Sequence, residues 1–182
     1  MNNNTEKKLV WIDLEMTGLN PAHDVILEIA TVITDNQLNI VAQGPRLIIY
    51  QPEDLLLRMN SDIRDMHSTS GLLESVHNST VSLEQACQET LEFIKKYCPK
   101  NAGLLAGNSV WQDRNFLYTY MPLITEYLHY RLIDVSTIKE LVRQWYPDSM
   151  YAEFKKLNTH RADSDIHESI AELAHLRTHF FV

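Results

Sequence analysis

The segment LVWIDLEM, residues 9–16, is apolar at every position except Asp13 and Glu15. Read as a strand, it turns successive side chains to opposite faces, so two acids spaced by two share one face. Like charges on one face repel unless a cation lies between them, and an unpaired carboxylate is costly to bury. The economical explanation is a bound divalent metal. The alternative is a solvated strand face, against which stand Leu9, Val10, Trp11, Ile12, Leu14 and Met16 on either side of the pair.

The rest of the chain alternates strand and helix signals. Residues 25–34 read as a second strand rich in Val, Ile and Thr, and 38–50 as a third, broken near Gly44 and Pro45. Turns at 18–21 and 35–36 join these into an antiparallel meander. Leu83, Ala86, Cys87, Leu91, Ile94 and Cys98 recur at helical spacing and predict an amphipathic helix over 82–97. Residues 103–109 predict a short buried strand, 113–120 a helix and 131–135 a fifth strand. Thr137 and Glu140 form a capping box for a helix running to Trp145, and a last helix over 163–180 turns Ile166, Ile170, Leu173, Ala174 and Leu176 inward. The expected class is α/β: a mixed five-stranded sheet, an antiparallel meander followed by parallel strands, with helices on both faces.

At 182 residues the chain suits a single domain, 1–182, with 1–7 as a flexible polar N-terminus. Its first apolar stretch is too short and too soon interrupted by acids for a signal sequence or membrane span, so a cytoplasmic location is expected. Cys87 and Cys98 lack the neighbouring Cys or His pattern that zinc needs and read as reduced core residues. Sixteen Lys and Arg against twenty-four Asp and Glu, a net charge of -8, disfavour tracking along a long nucleic acid, where phosphate neutralisation dominates affinity. A very short, metal-anchored anion stays compatible with that charge.

Three further groups join the opening pair. Asp113 stands at the start of a predicted helix just after the strand 104–106, where loops leaving a strand's carboxyl end commonly build active sites. Taken alone it is equally a first-turn acid favoured by the helix dipole. His160 lies in the polar loop LNTHRADSD, and Asp165 follows five residues later in the first turn of the last helix. Each alone has a bland explanation, solvation for the histidine and the dipole for the acid.

Four acids from three separated segments, with one histidine near the last, match the pattern of the DEDDh exonucleases of the DnaQ-like superfamily. WIDLEMTGLNP, VILEIATVITD, SGLLESV, GNSVWQDRNFLYTYMP, HYRLIDVSTIKEL and DIHESIAEL resemble, in that order and over nearly the whole chain, the oligoribonuclease family. The resemblance implies a ribonuclease H-like fold and a 3′ to 5′ exoribonuclease that degrades very short single-stranded RNA, down to dinucleotides, to 5′-mononucleotides. It also implies two divalent ions, Mg2+ or Mn2+, since an all-oxygen ligand set disfavours zinc and copper. Such ions stand about 3.5 to 4 Å apart and supply both a deprotonated water and positive charge at the phosphoryl oxygens. On that pattern Asp13 bridges the ions, Glu15 and Asp165 hold the one carrying the water, and Asp113 holds the second. His160 is the general base, because a free imidazole titrates at about 6.5 and is mostly neutral in the cytosol.

The resemblance extends to substrate-binding residues. Leu19 matches an apolar wedge beside the bases, with Met16 and Thr17 in the same turn; alternatively Leu19 is a turn residue packed on the core. His67 matches a histidine near the bases, and Ser109 a residue near the substrate phosphate. Ser136 and Thr137, with Tyr130 and Arg131 from the second protomer of a homodimer, match a group that closes over the 5′ end; Ser136 and Thr137 are otherwise explained as helix caps. A closed pocket reconciles RNA binding with an acidic chain, since a capped dinucleotide needs few phosphate contacts. Two positions depart from the family: Asp62 stands where a base-stacking tryptophan is usual, and Asp163, Ser164 and Asp165 replace two adjacent aspartates. A silent nucleotide-binding module on the same fold, or an exonuclease for DNA or tRNA ends, are the competing functions.

Overall fold

The computed structural model describes residues 7–154 and 161–181. Strand β1 (Leu9–Met16) lies inside a sheet of order β3-β2-β1-β4-β5. It pairs antiparallel with β2 (Ile26–Thr34), which pairs antiparallel with β3 (Ile40–Ile48). On its other side β1 runs parallel to β4 (Leu104–Gly107), and β4 parallel to β5 (Leu132–Asp134). This is the expected mixed sheet. Strands covered on both faces read as continuous apolar runs, which accounts for the sequences of β1 and β2.

The break expected in the third strand is a bulge. Ala30 faces Arg46 while Val32 faces Gln43, so the stretch holding Gly44 and Pro45 carries one extra residue against β2. β3 is an edge strand, where a proline without an N–H is tolerated. Gly44 is required by proximity, because a Cβ there would sit 2.6 Å from both the Phe93 ring and the Thr31 carbonyl.

Helices α1 (Glu53–Leu56), α2 (Ser61–Thr69) and α3 (Leu72–Asn78) follow the meander and share a small core of Leu27, Leu56, Met59, Leu72 and Val76. Helix α4 (Leu83–Tyr97) is capped by Ser82, whose hydroxyl accepts from the Gln85 amide at 3.1 Å. Its stripe packs with α5 (Val110–Tyr120) and α6 (Pro122–Tyr127) against Val10, Ile12 and Leu14, the even positions of β1. The odd positions Leu9 and Trp11 face α7 (Val135–Trp145) and α8 (Ala162–Phe180). Trp11 is wholly buried, and its indole N–H donates to Thr34 Oγ1 at 3.0 Å, so the ring enters the core without an orphaned donor. Asp13 and Glu15 continue the odd row towards α8.

Two helix starts and one burial differ from the sequence expectation. Helix α5 begins at Val110, placing Asp113 in its first turn but not at its first residue. Helix α7 begins at Val135 and is capped by Asp134, whose carboxylate accepts from the Ser136 amide at 3.0 Å; the Thr137 to Glu140 box lies inside the helix. Ala174 is only half-buried, unlike its four partners on α8. Cys87 and Cys98 are both buried and free. No helix among the described residues is long and apolar enough to cross a membrane.

Candidate active site

The carboxyl end of β1 meets the first turns of α8 and α5. There Asp13, Glu15 and Asp165 each present a carboxylate oxygen, all within 4.8 Å of one another. Asp113 reaches the same place from α5 and is buried; its Oδ1 accepts the Leu14 amide of β1 at 3.0 Å. That bond fixes one oxygen of Asp113 to the strand that carries the other two acids. The four acids singled out in the sequence are thus brought together. His160 lies outside the described residues.

Burial and mutual repulsion dominate the electrostatics. Burial, then Asp113, Glu15, Asp165 and Glu28, push the Asp13 carboxyl well above its ordinary range. Glu15 is pushed up to about 8 by burial, then by Asp165, Glu28 and Asp113. Asp113 rises to about 7, also through burial, against the lowering effect of its amide hydrogen bonds. No lysine or arginine among the described residues forms an ion pair with Asp13, Glu15 or Asp113. A buried set of oxygen donors that repel one another fits a hard divalent cation.

His67 on α2 is fully buried, and its Nε2 donates to the Met16 carbonyl at 2.9 Å. That bond turns Nδ1 towards Glu15, 3.9 Å from Oε2. The histidine therefore braces the end of β1 from behind, without an open face for a base.

The turn after β1 is braced throughout. Thr17 Oγ1 donates to Asp24 at 3.2 Å and accepts from the Val25 amide at 3.0 Å, while the Asn20 amide donates to Asp24 at 2.9 Å. Gln112 on α5 donates to the Leu19 carbonyl. Leu19 is 69% exposed on this rigid turn, so it does not pack on the core and is available as a wedge. Ser109 adopts a left-handed conformation with φ 49°, held by bonds from its amide to Asp134 Oδ1 and Ser136 Oγ, each 3.0 Å. Its hydroxyl lies 3.1 Å from that of Ser136, which joins the residue expected near the substrate phosphate to one expected at the 5′ end, with Thr137 exposed beside them on α7. Tyr130 and Arg131 form an exposed pair of their own before β5, the guanidinium 5.4 Å from the ring centroid. Asp62 is exposed on α2.

Several polar residues around this site went unread in the sequence. Glu28 on β2 is wholly buried directly across from Glu15, and Arg161 reaches it from the start of α8. Asn108 donates to Ser169 and Glu172 of α8 at 2.8 and 3.0 Å and accepts from Ser136 at 3.1 Å, linking α8 to the serine pair. A lone acid inside the apolar run ILEIATVIT is the one available signal for Glu28.

A family model described as exonuclease matches residues 10–173. The oligoribonucleases of Vibrio campbellii and Pseudomonas aeruginosa are 49% and 51% identical over 177 and 174 residues, spanning 97% and 96% of this chain and the same shares of theirs. The chain belongs to the oligoribonuclease family. Oligoribonuclease membership makes it an exonuclease-type hydrolase. Among solved structures, exonuclease I of Methylocaldum szegediense and E. coli exonuclease I in complex with a dA16 oligonucleotide superpose over 96% of this chain, with TM-scores of 0.71 and 0.73. At 16% and 14% identity they establish the fold alone, and the oligoribonuclease-family chain spans about two fifths of each, 41% and 42%. That fold is ribonuclease H-like, as the sequence resemblance implied.

Proposed function

We propose that this chain is a 3′ to 5′ exoribonuclease that hydrolyses very short single-stranded RNA, down to dinucleotides, to 5′-mononucleotides in the cytoplasm. The observation that carries the proposal is the convergence of Asp13, Glu15 and Asp165 within 4.8 Å, with Asp113 beside them, in a chain about half identical to oligoribonucleases. Mg2+ or Mn2+ ions held there would supply an ionised water and positive charge opposite the phosphoryl oxygens. Asp13, central to the four, would be shared between two such ions; Glu15 and Asp165 would hold one and Asp113 the other.

The chain's own residues set the geometry of attack. Asp113, tied to the Leu14 amide, keeps its carboxylate in one place relative to β1 while the scissile phosphate is seated. His160, next to Arg161 in the chain, is the proposed general base and takes the proton of the attacking water on an imidazole nitrogen. Leu19, Met16 and Thr17 form a preformed edge for the terminal base, with His67 supporting it through the Met16 carbonyl. Ser109, Ser136 and Thr137 would meet the 5′ phosphate as hydroxyl donors. Tyr130 and Arg131 of the second copy in a homodimer would complete that pocket, Arg131 supplying the charge that a chain of net -8 otherwise withholds.

The test is cleavage of a 5′-labelled diribonucleotide and a labelled 20-nucleotide RNA, each with Mn2+ or EDTA, with Asp113→Ala as the control for contaminating nucleases. Metal-dependent loss of the dinucleotide, with the long RNA scarcely touched, is the expected result. Shortening of the long RNA as well would open the pocket to a broader exonuclease. Cleavage of neither would leave a silent binding module.

A further inference from the structure

A fifth acid stands beside the four. Glu28 lies directly across from Glu15 in the antiparallel register, so the two side chains share the α8 face, and Glu28 is 0% exposed. A carboxylate buried this deeply needs cationic partners. Two arrive from distant parts of the chain: Arg46 of β3 bonds Oε1 through its Nε, and the Nε of Arg161 lies 3.5 Å from Oε2, at ion-pair distance without a formed hydrogen bond. Arg161 also donates from Nη1 to the carbonyl of Ser70, the residue that ends α2, at 3.1 Å.

Arg161 is the residue that opens α8. Its carbonyl accepts the Asp165 amide at 3.1 Å, and its side chain makes no capping bond to the helix. The Arg161 guanidinium reaches outward instead, to Glu28 of β2 and to the Ser70 carbonyl at the end of α2. A second, more exposed link runs from Gln43 of β3 to Asp163.

We propose that Arg161, seated on Glu28, is a positioning residue that fixes where α8 begins and so where the Asp165 carboxylate meets Asp13 and Glu15. The inference rests on the metal reading of that cluster. Asp165 is one helical turn from Arg161, so a shift at the helix start is passed directly to the ligand. Mg2+ demands near-ideal octahedral geometry, with oxygens at about 2.0 to 2.1 Å, and so tolerates little displacement of a ligand. Arg46 grips the same carboxylate from β3, outside α8, which makes it an internal control.

The experiment compares the parent chain, Arg161→Gln and Arg46→Gln by Mn2+ calorimetry, with dinucleotide kinetics over a Mn2+ titration. Arg161→Gln should weaken Mn2+ binding by about 10- to 100-fold, as loss of an outer partner of a ligand does, and should raise the half-activating Mn2+ concentration in step. KM for the dinucleotide at saturating Mn2+ should stay unchanged. Arg46→Gln should lower Tm while keeping the parent's Mn2+ affinity. Equal losses of affinity in both variants, or no loss in Arg161→Gln, overturn the proposal and leave a buried ion pair that only stabilises the fold. If Arg161→Gln does not fold, Arg161→Lys keeps a charge near Glu28 without the fork that spans to Ser70, and parent-like Mn2+ affinity in that variant overturns the proposal too. A parent chain that binds no Mn2+ removes the metal reading and this inference with it.

Discussion

Raising the pH of the metal-free protein should destabilise it, and the size of the effect follows from Glu15. Its folded-state pKa is raised, from 4.5 to about 8. The stability linked to a raised carboxyl is fully present below the unfolded pKa and is lost as pH climbs through the folded one, because the unfolded chain gives up its proton first. At about 1.4 kcal/mol for each tenfold difference in acidity, Glu15 alone removes about 2 kcal/mol between roughly pH 6 and pH 8. For a chain of 182 residues that is a fall in Tm of about 4 to 8 °C, with Asp113 and Asp13 acting in the same direction. The assay is thermal unfolding in EDTA across this range, repeated with saturating Mn2+. Ions that bind only the ionised, native cluster stabilise more as the pH rises, so the decline should vanish or reverse with Mn2+. Glu15→Gln should make the EDTA series shallower, leaving the part due to Asp113 and Asp13. A Tm in EDTA that holds steady or rises from pH 6 to pH 8 would refute the account of a buried, mutually repelling acid cluster; identical series with and without Mn2+ would refute its role as a cation site.

Asp113→Asn keeps an oxygen for the Leu14 amide but no charge, so it should lose turnover while its metal-free Tm at alkaline pH exceeds the parent's. Asp13→Ala should also be inactive, and residual turnover by either variant above a no-enzyme blank would count against the assignment. His160→Ala should bind Mn2+ like the parent yet cleave the dinucleotide roughly 10² to 10⁴ more slowly, measured as kcat at saturating Mn2+. Gly44→Ala forces a methyl against the Phe93 ring and the Thr31 carbonyl and should cost about 1 to 3 kcal/mol, seen as a lower urea midpoint with an unchanged slope.

What the sequence made legible was whatever a short window encodes. Asp13 and Glu15 stand out because strand periodicity puts them on one face of an apolar run, and α4 because its stripe repeats over a long window. Boundaries failed where two local signals compete. Thr137 and Glu140 make a fair capping box, but Asp134, the last residue of β5, accepts the Ser136 amide with its carboxylate and starts the helix earlier. Helix α6 is only six residues long and begins with Pro122, so it shows no periodicity to detect. Glu28 escaped for a different reason: its partners are Glu15, Arg46 and Arg161, and which of them meet it depends on strand register and on the seating of α8. Pairings of that kind belong to tertiary structure, and no window of neighbouring residues contains them.

The four acids are also distributed along the chain in a way that bears on when the cluster is complete. Asp13 lies on the first strand, and Asp165 on the last helix, which packs against β1 and β2. Residues 150 positions apart in the chain therefore meet only once α8 is seated on the strand that carries Asp13 and Glu15. Docking of α8 on the sheet and completion of the acid cluster are one event. Any local opening that lifts α8 from the sheet takes Asp165 out of the cluster without unfolding the meander.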